Sequence, residues 1–311
     1  MQIERFRAMN SEIVLLAEGE VSQVQSGLVA AQNFIEASEK RFTRFSEYSE
    51  FSDLNRSAGK WFQASPDLFA VVKEAVFYFH KTNGLFDPSI LPNLQRAGYI
   101  QSIDEIRRSG SAPQMASPRL VCTSSFASVE FNETTSSIRL PVDMQVDLGG
   151  IAKGWIAERA AGLLSQYSSS CAVNAGGDMF LVGYPGGKDC WEVGLEDPRD
   201  PKVDISILLL QEGAVATSSV MKRVWKQGEL SRHHLIDPRT GEPANTSWLS
   251  VTVLAPHATT AETFAKAFLI ADEQETQLLG EQNPELTVLA VDKVGNLVSL
   301  IKPMESLYAP H

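Results

Sequence analysis

Apolar residues at Val24, Leu28, Ala31, Ile35 and Phe42 recur at intervals of three, four and seven, the spacing of a helix that buries one face. Lys40, Arg41 and Arg44 follow, where the negative end of a helix dipole attracts cations, and predict its close near Phe45. A short strand is expected before it at residues 13–17. Ser65-Pro66-Asp67 reads as a second helix start, with Val72, Ala75, Val76 and Phe79 on the apolar face and Asn83-Gly84 as the stop. Ser102, with Glu105 three residues on, forms a capping box ahead of a short helix.

The pattern then changes. Strands are predicted at 128–131, 137–140 and 144–148, after which Gly149-Gly150 turns the chain into a helix over 152–164. Further strands are predicted at 171–173, 179–182, 191–195, 205–210, 248–254, 286–291 and 297–301, the last two as a hairpin across 292–296. Strands that come in runs, instead of alternating one for one with helices, give the expected fold class: α+β, with antiparallel sheets and packed helices. No internal repeat or Pro/Gly/Ser-rich linker divides the chain, so a single composite domain over 1–311 is expected, with the polar stretch 109–117 as a surface loop.

Composition narrows the function. At 43% hydrophobic and 21% charged, the 311 residues can bury a sizeable core, which excludes disordered and fibrous classes. Lys and Arg number 27 against 38 Asp and Glu, and the net charge of −11 would repel nucleic acid and an anionic membrane surface. Cys122, Cys171 and Cys190 lie far apart with no Cys-x-x-Cys pair and read as ordinary core thiols. No apolar run reaches the roughly eighteen residues of a transmembrane segment, and the charged start from Met1 to Arg7 lacks the apolar stretch of a signal peptide, so a soluble cytoplasmic protein is expected.

Four segments could carry chemistry. Val146-Asp147-Leu148-Gly149-Gly150-Ile151-Ala152-Lys153-Gly154 ends a strand with a carboxylate, lets backbone approach a ligand at the glycines, and opens a helix whose first N–H groups favour an anion. It is neither a Walker A loop nor a dinucleotide G-x-G-x-x-G, and a plain glycine turn would also account for it. Asn174-Ala175-Gly176-Gly177-Asp178 is a second such turn, equally readable as structure. His233-His234-Leu235-Ile236-Asp237-Pro238-Arg239-Thr240-Gly241 offers imidazoles to take a proton and a guanidinium to hold phosphate, though its second half is a good turn in its own right. Neighbouring histidines on a strand face opposite ways, so at most one is expected at a site, and their spacing argues against a metal-dependent phosphohydrolase built on His233, His234 and Asp237. Finally, Thr259 with Glu262 reads as a capping box, and Glu262 with Lys266 as an ion pair four residues apart.

In order along the chain, several segments resemble the FAD:protein FMN transferases, the ApbE family. They are Ala8-Met9-Asn10-Ser11, Arg44-Phe45-Ser46 with Leu54-Asn55, Asn83-Gly84-Leu85-Phe86-Asp87-Pro88, the stretches 146–154, 174–178 and 233–241, and Ser250-Val251-Thr252-Val253-Leu254-Ala255-Pro256. The resemblance implies an ApbE-like fold, related to the T-fold, and an enzyme that joins the FMN of FAD to a Thr or Ser of an acceptor flavoprotein subunit and releases AMP. It places Met9, Tyr48, Ser89, Ile90, Leu91, Asp147 and Lys153 around FAD and makes His234 the base. It also implies a magnesium ion, held by backbone oxygen near Gly150 and by an Asp and a Thr four residues apart.

At those last two positions stand Glu262 and Lys266, and an ammonium cannot coordinate a hard cation while protonated. The expectation is that Glu262 and Gly150 remain as metal ligands if an ion binds. The other possibility is that Lys266 places its own charge where the ion would sit, held there by Glu262. The altered pair also leaves open a catalytically silent FAD-binding protein of the same fold.

Overall fold

A computed structural model describes residues 1–110, 112, 124–301 and 308–309. Cys122 and most of the expected 109–117 loop lie outside the described residues. The chain forms two compact units, interleaved in sequence: Met1–Ala37, Lys153–Lys222 and Thr246–His311 make the first, and Ser38–Ala152 with Arg223–Asn245 the second. Because the chain passes from unit to unit in mid-sequence, no linker marks the division.

The first unit is built on an eight-stranded antiparallel sheet. Its strands run, edge to edge, Gln2–Ala8, Ser11–Ala17, Cys171–Ala175, Asp178–Val182, Gly213–Ser219, Trp248–Ala255, Thr287–Asp292 and Leu297–Ile301. Successive residues of Gly213–Ser219 face opposite ways. Ala214 and Ala216 pack on Ala258 and Ala261 of the Ala258–Ile270 helix. Val215 faces the other side, with Trp191, Leu195, Leu208 and Leu210 of the hairpin formed by Trp191–Asp197 and Asp200–Leu210. The expected α+β class with antiparallel sheets is what forms.

Two strands of this sheet escape the sequence pattern. Gln2–Ala8 is an edge strand whose charged Glu4, Arg5 and Arg7 mask its alternation; it turns into Ser11–Ala17 through Met9 and Asn10 at φ 53° and 55°. Gly213–Ser219 carries small and hydroxyl side chains in place of bulky apolar ones, because its alanines must let a helix approach closely.

The second unit holds the helices Glu50–Arg56, Pro66–Lys81, Leu91–Arg96 and Ile103–Ser109 and three small antiparallel sheets. Two predicted helix starts hold to the residue: Ser65 accepts the Leu68 N–H, and Ser102 and Glu105 form a reciprocal capping box. Leu94, Ala97, Tyr99, Ile103, Ile106, Trp225 and Ile236 share one core.

Residues 144–148 do not form the strand expected of them. A side chain stands in for the partner strand: the Asn55 amide donates to Val146 O at 3.0 Å and accepts from the Val146 N–H at 2.7 Å. Asn55→Ala should strand both buried backbone groups and cost about 2–4 kcal/mol, to be read from the urea midpoint against wild type.

Candidate functional site

In the first unit a charged cluster gathers where two helices begin. Lys153, second residue of the Ala152–Leu164 helix, pairs its Nζ with Asp178 Oδ2 and lies 3.8 Å from Glu262 Oε1. Lys266 Nζ stands 3.1 Å from that same Glu262 oxygen and 3.3 Å from the Glu262 carbonyl. Glu262 Oε2 accepts the Gly154 N–H at 2.8 Å. The acids are 1% and 3% exposed and the lysines 14% and 15%, so four charges are almost wholly withdrawn from water. Burial pushes the Glu262 carboxyl up, but the Lys266 and Lys153 ammoniums and the Gly154 N–H together hold it below its ordinary value.

Gly154 makes the cluster possible, since a Cβ there would lie 2.4 Å from the Ala258 carbonyl oxygen. The expected capping box at Thr259 and Glu262 is not what forms. Thr259 lies inside the helix, whose cap position is His257, and Glu262 points into the cluster. Glu158 caps instead, accepting from the Ala258 N–H at 2.8 Å and bonding His257 Nδ1 at 2.9 Å.

Asp178 follows the second glycine turn, in which Asn174 Oδ1 accepts the Gly177 N–H at 2.8 Å while Gly176 and Gly177 adopt φ of 69° and 100°. Beside this turn, between the sheet and the 191–210 hairpin, lies a cavity of about 290 Å³ lined by Asn174, Glu196, Thr217, Lys222 and Thr252. The Thr217 and Thr252 hydroxyls bond each other at 2.9 Å, and Lys222 pairs with Glu196 at 2.8 Å.

The second unit carries the other expected site residues. Asp147 Oδ1 accepts the Gly149 N–H at 2.8 Å, and Oδ2 receives Arg44 Nε at 2.6 Å. The Arg44 side chain is 7% exposed, and its guanidinium carbon lies 4.2 Å from the Phe45 ring centroid and 4.7 Å from that of Tyr99. The Asp147 N–H donates to the Pro88 carbonyl at 2.8 Å, which ties the carboxylate to the Ser89-Ile90-Leu91 stretch. Burial pushes the Asp87 carboxyl up, against the Ser89 N–H it accepts at 2.8 Å. Leu91 is buried and Tyr48 is 87% exposed.

His234 follows the Leu230–His233 strand and is half-buried. The neighbouring histidine is committed to the fold: His233 Nδ1 accepts the Leu235 N–H at 3.3 Å and Nε2 meets the Ala244 carbonyl at 3.2 Å. Those bonds require the neutral Nε2–H tautomer. Arg239 folds back onto Asp237, and Gly241 closes the turn onto the Asp237 carbonyl at 2.8 Å.

Burial, with Arg232 adding to it, holds the His233 pKa below its ordinary 6.5. The unfolded chain therefore binds the proton more readily. The stability this histidine contributes is complete above pH 6.5 and is lost as pH falls through the lower folded value. Wild type should lose more stability between pH 7.5 and 5 than His233→Gln does, measured by urea unfolding across that range.

A divalent cation fits this chemistry poorly. Both Glu262 oxygens are engaged, Asp178 is paired with Lys153, and two ammoniums already balance two carboxylates. Among the described residues no three His, Cys, Asp or Glu side chains gather as a metal site, which also leaves the His233, His234 and Asp237 phosphohydrolase without support. No described helix is long and apolar enough to cross a membrane. The sequence reading missed Arg44, Asp178 and Glu158 as partners; each is joined to its mate only by the fold, although a charged residue beside a glycine turn or a helix start was a usable signal.

The sequence model of the ApbE family matches residues 9–290. A FAD:protein FMN transferase of Treponema pallidum is 30% identical over 231 residues, covering 69% of this chain and 62% of the relative. One from Vibrio cholerae is 28% identical over 242 residues, covering 74% and 69%. The crystal structure of the ApbE protein of Thermotoga maritima superposes with a TM-score of 0.80 at 25% identity, over 96% of each chain.

Proposed function

The chain belongs to the ApbE family, and from that membership we propose that it transfers the FMN part of FAD to a Thr or Ser hydroxyl of an acceptor flavoprotein and releases AMP. The observation that carries the reading is the family match across 9–290, which takes in both glycine turns and the 233–241 segment. In this reaction the hydroxyl oxygen forms a bond to the phosphorus of the FMN half. The bridging P–O bond breaks, AMP departs with the electron pair, and the hydroxyl proton passes to a base.

His234 is that base in our reading. The support is the commitment of its neighbour: His233 has both ring nitrogens bonded within the fold, which leaves His234, between two short strands, as the imidazole we assign to the chemistry. Asp147 accepts from a polar edge of the nucleotide, and Arg44 and the Gly149 N–H fix the direction of its oxygens. Lys153 supplies positive charge for the phosphates from the first turn of its helix. Met9, Tyr48, Ser89, Ile90 and Leu91 complete the residues we assign to FAD.

The test is incubation with FAD and a panel of acceptor flavoproteins or their Thr-containing peptides, following AMP by chromatography and the acceptor by mass. AMP released together with an acceptor heavier by FMN supports transfer. FAD bound yet recovered intact with every acceptor would leave a flavin-binding protein.

A further inference from the structure

The family's magnesium site and this chain's side chains disagree at Glu262 and Lys266, and the fold shows how the disagreement is resolved. A hard cation needs oxygen ligands with free lone pairs and a net negative setting. Here one Glu262 oxygen faces two ammoniums and the other accepts a backbone N–H, while Asp178 is held by Lys153. Two positive and two negative side chains already cancel, so an added dication would stand uncompensated beside Lys266 in a region shielded from water.

The lysines are well fitted to a different role. Each is anchored by a nearly inaccessible carboxylate, while its own side chain keeps 14% or 15% exposure. That arrangement fixes a point charge in place without removing it from a ligand's reach.

We infer that this chain works without a resident divalent cation, the anchored ammoniums of Lys266 and Lys153 supplying the positive charge for the pyrophosphate of FAD. The inference rests on the FAD-dependent reading above. It concerns only how the diphosphate is held, and no bond is made or broken by these residues. Glu262 and Asp178 are positioning residues in this arrangement, since they act through the lysines.

The test reads FAD binding apart from transfer. FAD is titrated calorimetrically into the full chain with magnesium and with EDTA, and metal in the purified protein is measured by plasma emission. The expected result is a dissociation constant that agrees within twofold between the arms, with no stoichiometric metal. A tenfold loss of affinity in EDTA, or one magnesium per chain, would overturn the inference.

Lys266→Met should weaken FAD at least tenfold in both arms and Lys266→Arg within threefold; Lys266→Met binding as wild type does would overturn the role given to that ammonium. The double change Glu262→Asp with Lys266→Thr restores oxygen ligands and should make FAD binding magnesium-dependent. If it binds FAD equally in both arms, the substitution pair is not what removes the metal. Metal-independent FAD binding without AMP release to any acceptor would sink the transferase reading and leave this inference standing.

Discussion

His234→Ala should slow FMN transfer by about 10²–10⁴, the range set by removing a positioned general base, with FAD affinity within twofold of wild type. The split follows from what the residue does in our reading: it takes a proton from the attacking hydroxyl and leaves the nucleotide to other side chains. Single-turnover release of AMP, with saturating FAD and acceptor, isolates the chemical step. His233→Gln is the control, because His233 bonds Ala244 and Leu235; it should alter stability more than rate. A variant at His234 that keeps transfer within tenfold of wild type would remove that residue from the chemistry.

Glu262→Gln is expected to be the most destabilising single change among the charged residues. The substitution keeps shape and volume but leaves Lys266 without its carboxylate and takes from Lys153 one of the two it faces. Breaking one partner out of a buried ion pair costs about 3–5 kcal/mol, and partial exposure of the lysines favours the lower end. The double variant Glu262→Met with Lys266→Met should recover much of that loss, because an apolar pair of similar length leaves no orphaned charge. A double-mutant cycle in urea gives the coupling directly. Additive losses would mean that the two side chains do not depend on each other.

Features with a local cause were readable in the sequence. Ser65 and Ser102 announce helices because a hydroxyl three residues ahead of an unpaired N–H satisfies it wherever the rest of the chain lies. The helix over 152–164 was equally plain from its glycine turn. Thr259 misled for the same reason: it had the right spacing, but Glu158, about a hundred residues earlier, reached the Ala258 N–H first. Asn55 pairing with Val146 and Arg44 with Asp147 are invisible in the pattern, because each joins residues that only tertiary structure brings near. At the candidate site the sequence showed the unusual Glu262 and Lys266 side by side on a helix. That Asp178 and Lys153 close the charge balance is a property of the sheet and two helices together.

Synthesis of the chain imposes an order on the eight-stranded sheet. The hairpin of Gln2–Ala8 and Ser11–Ala17 leaves the ribosome first, yet the strand that covers its inner edge, Cys171–Ala175, comes only after residues 18–170. Through that interval an unpaired backbone edge with the apolar Ile13, Leu15 and Leu16 is open to any other extended chain. The charged Glu4, Arg5, Arg7 and Glu12 on the nascent hairpin act as gatekeepers during the wait, and those of Gln2–Ala8 keep the task afterwards, because that strand stays at the edge of the finished sheet.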